Sequence, residues 1–152
     1  MEIVESFLAH AKGAFRRPDD RRRAEKILLR WAAAWQGRSR NLTQTSSNHG
    51  TYLHFNQLIG GIWCRAFIFH AAPRRGFGLR GPDTDRTRKS HKLRANRLDS
   101  SSLDALFEAW SAHPEARPAG NAVELLLEEA HDDVWESFLQ EALRCLSEAA
   151  AP

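Results

Sequence analysis

Cysteine is scarce in this 152-residue chain: Cys64 and Cys145 are the only two, far apart and each set among apolar neighbours. That argues against a disulfide framework and suits buried, reduced thiols. Zinc takes about four Cys or His ligands at close spacing, which neither cysteine offers, so no metal and no cofactor are expected. No apolar run approaches the roughly 20 residues that span a bilayer, and no basic-then-apolar leader opens the chain, so a cytoplasmic protein without membrane contact is expected. Negative charge is nearly missing from one stretch and positive charge from another. Residues 65–97 hold ten Lys/Arg and two Asp/Glu, residues 98–152 hold two and twelve, and residues 1–64 hold ten and five. A formal net charge of +3 thus conceals segments of +5, +8 and −10. Charge distribution of this kind speaks to partners and not to fold.

What the chain does have is aromatic mass. With 42% hydrophobic residues, five of them Trp and eight Phe, it can bury a core. Ile3, Val4, Phe7, Leu8, Ala11 and Phe15 form the stripe of one amphipathic helix, and Ala24, Ile27, Leu28, Trp31 and Trp35 that of a second, which Pro18-Asp19-Asp20 opens and Gly37 stops. These make a helical hairpin over residues 2–36. The polar residues 37–50 read as a loop. A β-meander of three strands over 51–80 follows, turned by Gly60-Gly61 and by Pro73-Arg74-Arg75-Gly76. Its middle strand carries Trp63, Cys64, Phe67, Ile68 and Phe69, so both its faces are expected to be covered. Residues 81–99 read as a basic loop, and residues 101–149 as helix, strand and helix. The expected fold class is a small single α+β domain, an antiparallel sheet of three to four strands packed with about four helices on one face.

The first functional candidate is the basic arm Arg86, Arg88, Lys89, Lys92, Arg94 and Arg97, continued back into Arg74, Arg75 and Arg80. A cationic segment of this kind can neutralise successive phosphates of DNA or RNA and release counterions as it does so. The competing reading is a solvated loop, or a charge run that the acidic last third neutralises. The second candidate is Arg75-Gly76-Phe77-Gly78, which resembles the start of the RNP1 motif of RNA-recognition and cold-shock modules. That resemblance implies stacking of Phe77 on an unpaired base; Leu79 stands where the motif carries a second aromatic, and an ordinary hairpin with Phe77 in the core is the competing reading. The third is His49-Gly50-Thr51-Tyr52, which looks like the His-Gly-Thr signature of ADP-ribosyltransferases. Such an enzyme also needs a glutamate at the end of a later strand, for which Glu124 and Glu128 are the candidates. Asp83 and Asp85 suit local turns.

A nucleic-acid-associated binding module that uses the basic arm for phosphate contacts is therefore the leading expectation, with no catalytic residue assigned. The alternatives are an adaptor or inhibitor that docks an acidic protein surface on the arm, or a basic one on the face from Glu124 to Glu148, and a transferase-like enzyme.

Overall fold

The computed structural model describes residues 1–83 and 101–147. The arm residues Arg86, Arg88, Lys89, Lys92, Arg94 and Arg97 lie outside the described residues. The two N-terminal stripes form α1 (Glu2–His10) and α2 (Pro18–Ala34), joined through a single 3₁₀ turn at Lys12–Ala14. The polar segment expected to be a loop instead contains β1 (Arg40–Ser47). It pairs with β2 (Gly50–Ile59), which pairs with β3 (Ile62–Ala72), which pairs with β4 (Gly76–Gly81), so the meander has four strands. Gly60 and Gly61 turn β2 into β3 with φ of 59° and 78°, the positive pair that a two-residue hairpin requires. After α3 (Ser101–Ser111) come the short β5 (Arg117–Ala119) and β6 (Ala122–Leu126), a 3₁₀ turn at Leu127–Glu129 and α4 (Asp132–Cys145). The described residues form a small α+β domain with four helices and one antiparallel sheet of six strands, against the three to four expected, in the order β1-β2-β3-β4-β6-β5.

The helices reach the sheet through one face. Trp31 of α2 and Trp35 at its C-terminal cap meet Phe55 and Phe67 from β2 and β3, Phe7 of α1 meets Phe77 of β4, Trp110 of α3 meets Phe67, and Trp135 of α4 meets Phe69. Two of the buried Trp indoles find carbonyl partners: Trp35 Nε1 donates to Asn56 O at 3.0 Å and Trp110 Nε1 to Phe138 O at 3.2 Å. Cys64 is buried and Cys145 half-buried, and no disulfide joins them. No helix among the described residues is long and apolar enough to cross a membrane.

The middle strand is not covered on both faces. A bulge lets Phe55 pair with Phe67 and Asn56 with Arg65, so Ala66 is one residue too many on β3. Side chains alternate on either side of it, and the extra residue resets the alternation. Cys64, Phe67 and Phe69 therefore all face the helices, while Trp63 and Arg65 emerge on the opposite face, Trp63 at 47% exposure.

Candidate nucleic-acid interface

Strand register places one set of side chains on the outer face of the sheet. Thr43 of β1 lies opposite His54 of β2, His54 opposite Ile68, Ile68 opposite Arg80 of β4, Arg80 opposite Glu124 of β6, and Glu124 opposite Arg117 of β5. Neighbouring rows add Asn41, Asn56 and Arg65, then Thr45, Tyr52 and His70. His54 is held between Thr45 Oγ1 at 2.8 Å from Nε2 and Arg65 Nη1 at 3.3 Å from Nδ1. Because a guanidinium can only donate, Nδ1 must accept and Nε2–H donates to the hydroxyl, which is the neutral ring. Burial first, and the Arg65 charge second, lower the His54 pKa in agreement with that tautomer.

At the centre of this face is a buried carboxylate. Glu124 is 9% exposed; its Oε2 accepts from Arg80 Nη2 at 2.9 Å and lies 3.2 Å from His70 Nε2, and Oε1 is 3.8 Å from Arg117 Nε. The His70 contact is off the line of a hydrogen bond, so it acts as an electrostatic contact. His70 foremost, and Arg80 after it, hold the Glu124 carboxyl at about 2 against the opposing effect of burial. A carboxylate so firmly ionised fixes cations in place. It is poorly suited to carry a proton at neutral pH.

This cluster depends on Gly78. A Cβ there would stand 2.8 Å from Leu125 O, 2.8 Å from Leu126 Cδ2 and 3.0 Å from His70 Nε2. Gly78→Ala is accordingly expected to lose about 1–3 kcal/mol by overpacking, read as a lower urea midpoint at unchanged slope.

The second part of the interface is at the end of the sheet. A cavity of about 280 Å³ opens between the segment leading into α2, the β3–β4 turn and the 3₁₀ turn after β6. Arg16, Arg74, Arg75, Glu128 and Glu129 line it, with Phe15 and Phe77 among the apolar lining. Arg74 and Arg75 are exposed, and neither they nor Arg16 make an ion pair among the described residues. Part of the acidic last third is engaged elsewhere. Arg23 pairs with Asp132 at 2.9 Å, Arg30 with Glu136 at 2.7 Å, Arg117 with Glu129, and Arg80 with Glu124.

The sequence-derived site residues therefore divide. Arg74 and Arg75 stand together on a cavity that also gathers Arg16 and Arg117, both missed in the sequence. Arg80 is committed to Glu124 on the outer face and is not available as a free phosphate contact. Phe77 is 3% exposed and packs on Phe7, Phe15, Phe69 and Trp135. Its ring is core and cannot stack on a base, because β4 alternation turns residue 77 toward the helices. Of the transferase-like set, His49 is exposed in the β1–β2 turn, Thr51 is buried and hydrogen-bonded to Ser46 and Thr45, and Tyr52 is on the outer face opposite His70. None of the three lines the cavity, and Glu124 is occupied by its cations. Among the described residues no group of three or more His, Cys, Asp or Glu is placed to hold a metal. No family model, curated protein or solved structure matches this chain.

Proposed function

We propose that the chain is a nucleic-acid-associated binding module that grips phosphate with Arg16, Arg74, Arg75 and the basic arm, and lays an unpaired strand along the outer face of the sheet. The observation that carries the reading is the distribution of ion pairs: Asp132, Glu136, Glu124 and Glu129 of the acidic third are matched by Arg23, Arg30, Arg80 and Arg117, while exposed Arg16, Arg74 and Arg75 make no ion pair among the described residues. The outer face of β3 continues from that cluster. Its accessible part runs from half-buried Ile68 through exposed Arg65 to exposed Trp63, about 20 Å at ~3.3 Å per residue, while His70 is buried beside Glu124. Arginines along a backbone track with an aromatic for stacking are the parts that hold single strands with little sequence preference.

Substituting Arg74 and Arg75 together by Ala should weaken oligonucleotide binding about tenfold and flatten its log–log salt dependence by about 1.4, at ~0.7 for each single-strand phosphate that is no longer neutralised. Fluorescence anisotropy across a salt series measures both. An unchanged slope removes this cluster from the interface.

A protein-interaction role is the second reading, and β1 favours it. Among the described residues β1 is the outermost strand, eight residues long and uncharged from Asn41 to Ser47, whereas the opposite edge, β5, has three residues including a proline. An edge without charge or proline can accept an extended peptide. Co-purification with and without nuclease separates the readings: a protein partner that survives nuclease and moderate salt supports the second.

A further inference from the structure

We propose that the cavity at the end of the sheet is a subsite for a phosphate monoester, the terminal phosphate of a nucleic-acid strand; this rests on the nucleic-acid reading above. A phosphodiester inside a strand carries one negative charge, and its chain continues in two directions. A monoester approaches two charges above a second pKa near 6, has three free acceptor oxygens, and ends there.

The cavity matches the second description in charge, donors and shape. Of its carboxylates, Asp20 is only 8% exposed and is matched by Arg17 at 3.2 Å, and Glu129 is matched by Arg117. That leaves the guanidiniums of Arg16, Arg74 and Arg75 facing Glu128, which makes no ion pair among the described residues, a balance of two positive charges for a dianion. Guanidinium groups bind phosphate oxygens in pairs of parallel hydrogen bonds, so three of them can saturate a monoester. Glu128 and Glu129 also line the cavity, so a strand running through it would bring a further phosphate to these carboxylates, whereas a strand that stops at the arginines would not. The volume of about 280 Å³ lies just below the ~300–1,000 Å³ of pockets for whole small molecules, which suits a terminal group.

The experiment compares single-stranded oligonucleotides of one sequence, labelled on an internal base, that end in a 5′-phosphate, in a 3′-phosphate, or in hydroxyls at both ends. Fluorescence anisotropy at fixed salt is expected to show one phosphorylated form binding about tenfold more tightly than the hydroxyl form, and which form it is identifies the polarity of the strand. The preference should disappear in Arg74→Ala/Arg75→Ala, survive in Glu128→Gln, and shrink at about pH 5.5, where the monoester loses its second charge. All three substituted positions line the cavity, and circular dichroism checks that each variant folds. Equal affinity for the three oligonucleotides, with binding intact, overturns the subsite and leaves the nucleic-acid reading standing. Failure of all three to bind overturns both.

Discussion

Replacing Glu124 by Ala is expected to cost about 3–5 kcal/mol of folding stability, because it removes one partner from a buried charge cluster. Arg80 at 2.9 Å and His70 at 3.2 Å share one carboxylate oxygen, and the His70 side chain is only 4% exposed. Without that oxygen the Arg80 guanidinium loses its nearest counter-charge and the buried His70 ring its polar neighbour, in a place where Arg80 Nε already lacks a hydrogen-bond partner. Glu124→Gln keeps the shape and removes the charge, so it should fall between wild type and Ala. The same carboxylate sets a pH dependence. Its folded pKa of about 2 lies below the ordinary 4.5, so the folded state favours the ionised form. The stabilisation is complete above about pH 4.5 and is lost as pH falls toward 2, amounting to about 3 kcal/mol at most. Urea unfolding at about pH 7, 4 and 2.5 should show wild type losing stability across this window and Glu124→Gln losing less of it. Equal stability of the three proteins at neutral pH would mean that the cluster contributes nothing.

The second large effect belongs to Trp31. Its ring lies within 5.0–6.3 Å of Phe55, Phe67, Phe69 and Trp135, mostly edge to face, and is 1% exposed. It thus joins α2 and α4 to β2 and β3 through one side chain. Trp31→Ala should cost about 3–5 kcal/mol through the burial forfeited and the cavity left behind, and lower the melting temperature by roughly 15 °C. Trp31→Phe keeps part of the ring packing and should lose less. A Trp31→Ala variant that melts within a few degrees of wild type would show that the helical layer is not held by this residue.

Elements that bury a stripe were legible in the sequence, because burial leaves a period behind. Both N-terminal helices, the Gly60-Gly61 hairpin, the strand from Ile62 to Ala72 and the helices at Ser101 and Asp132 all stand at or near the positions their apolar spacing implied. Elements that bury little left no such mark. As an edge strand, β1 turns only Arg40, Leu42 and Gln44 toward the helices with partial burial, so its residues read as a polar loop. Three residues of β5, one of them Pro118, are too few to show alternation. On β3 the alternation itself misled, since Ala66 at the bulge moves Trp63 and Arg65 to the face opposite Phe67 and Phe69.

The candidate site divides along the same line. Arg74 and Arg75 could be found because a Pro-Arg-Arg-Gly turn is a local signal. Glu124 could not be recognised as the holder of Arg80 and His70, because alternation between Val123 and Leu125 reads as a solvent-facing glutamate, and only tertiary pairing brings Arg80, 44 residues away, beside it. Arg16 and Arg117 carry no local mark either; they join the cavity because the segment before α2 and the start of β5 converge on the β3–β4 turn. The charge asymmetry is likewise resolved by tertiary structure. Four carboxylates of its acidic pole, Glu124, Glu129, Asp132 and Glu136, are met by α2 and the sheet, and the turn arginines are left exposed.

The central claim is that those arginines, with the arm, meet nucleic acid. The most direct test is the affinity of the whole wild-type chain for a fluorescent single-stranded and a duplex oligonucleotide as salt rises from about 20 to 300 mM. Measurable binding at low salt is expected, weakening linearly on a log–log plot with a slope of several phosphate contacts at ~0.7–0.9 each, and with a preference for the single strand. Absence of binding to both at the lowest salt would contradict it.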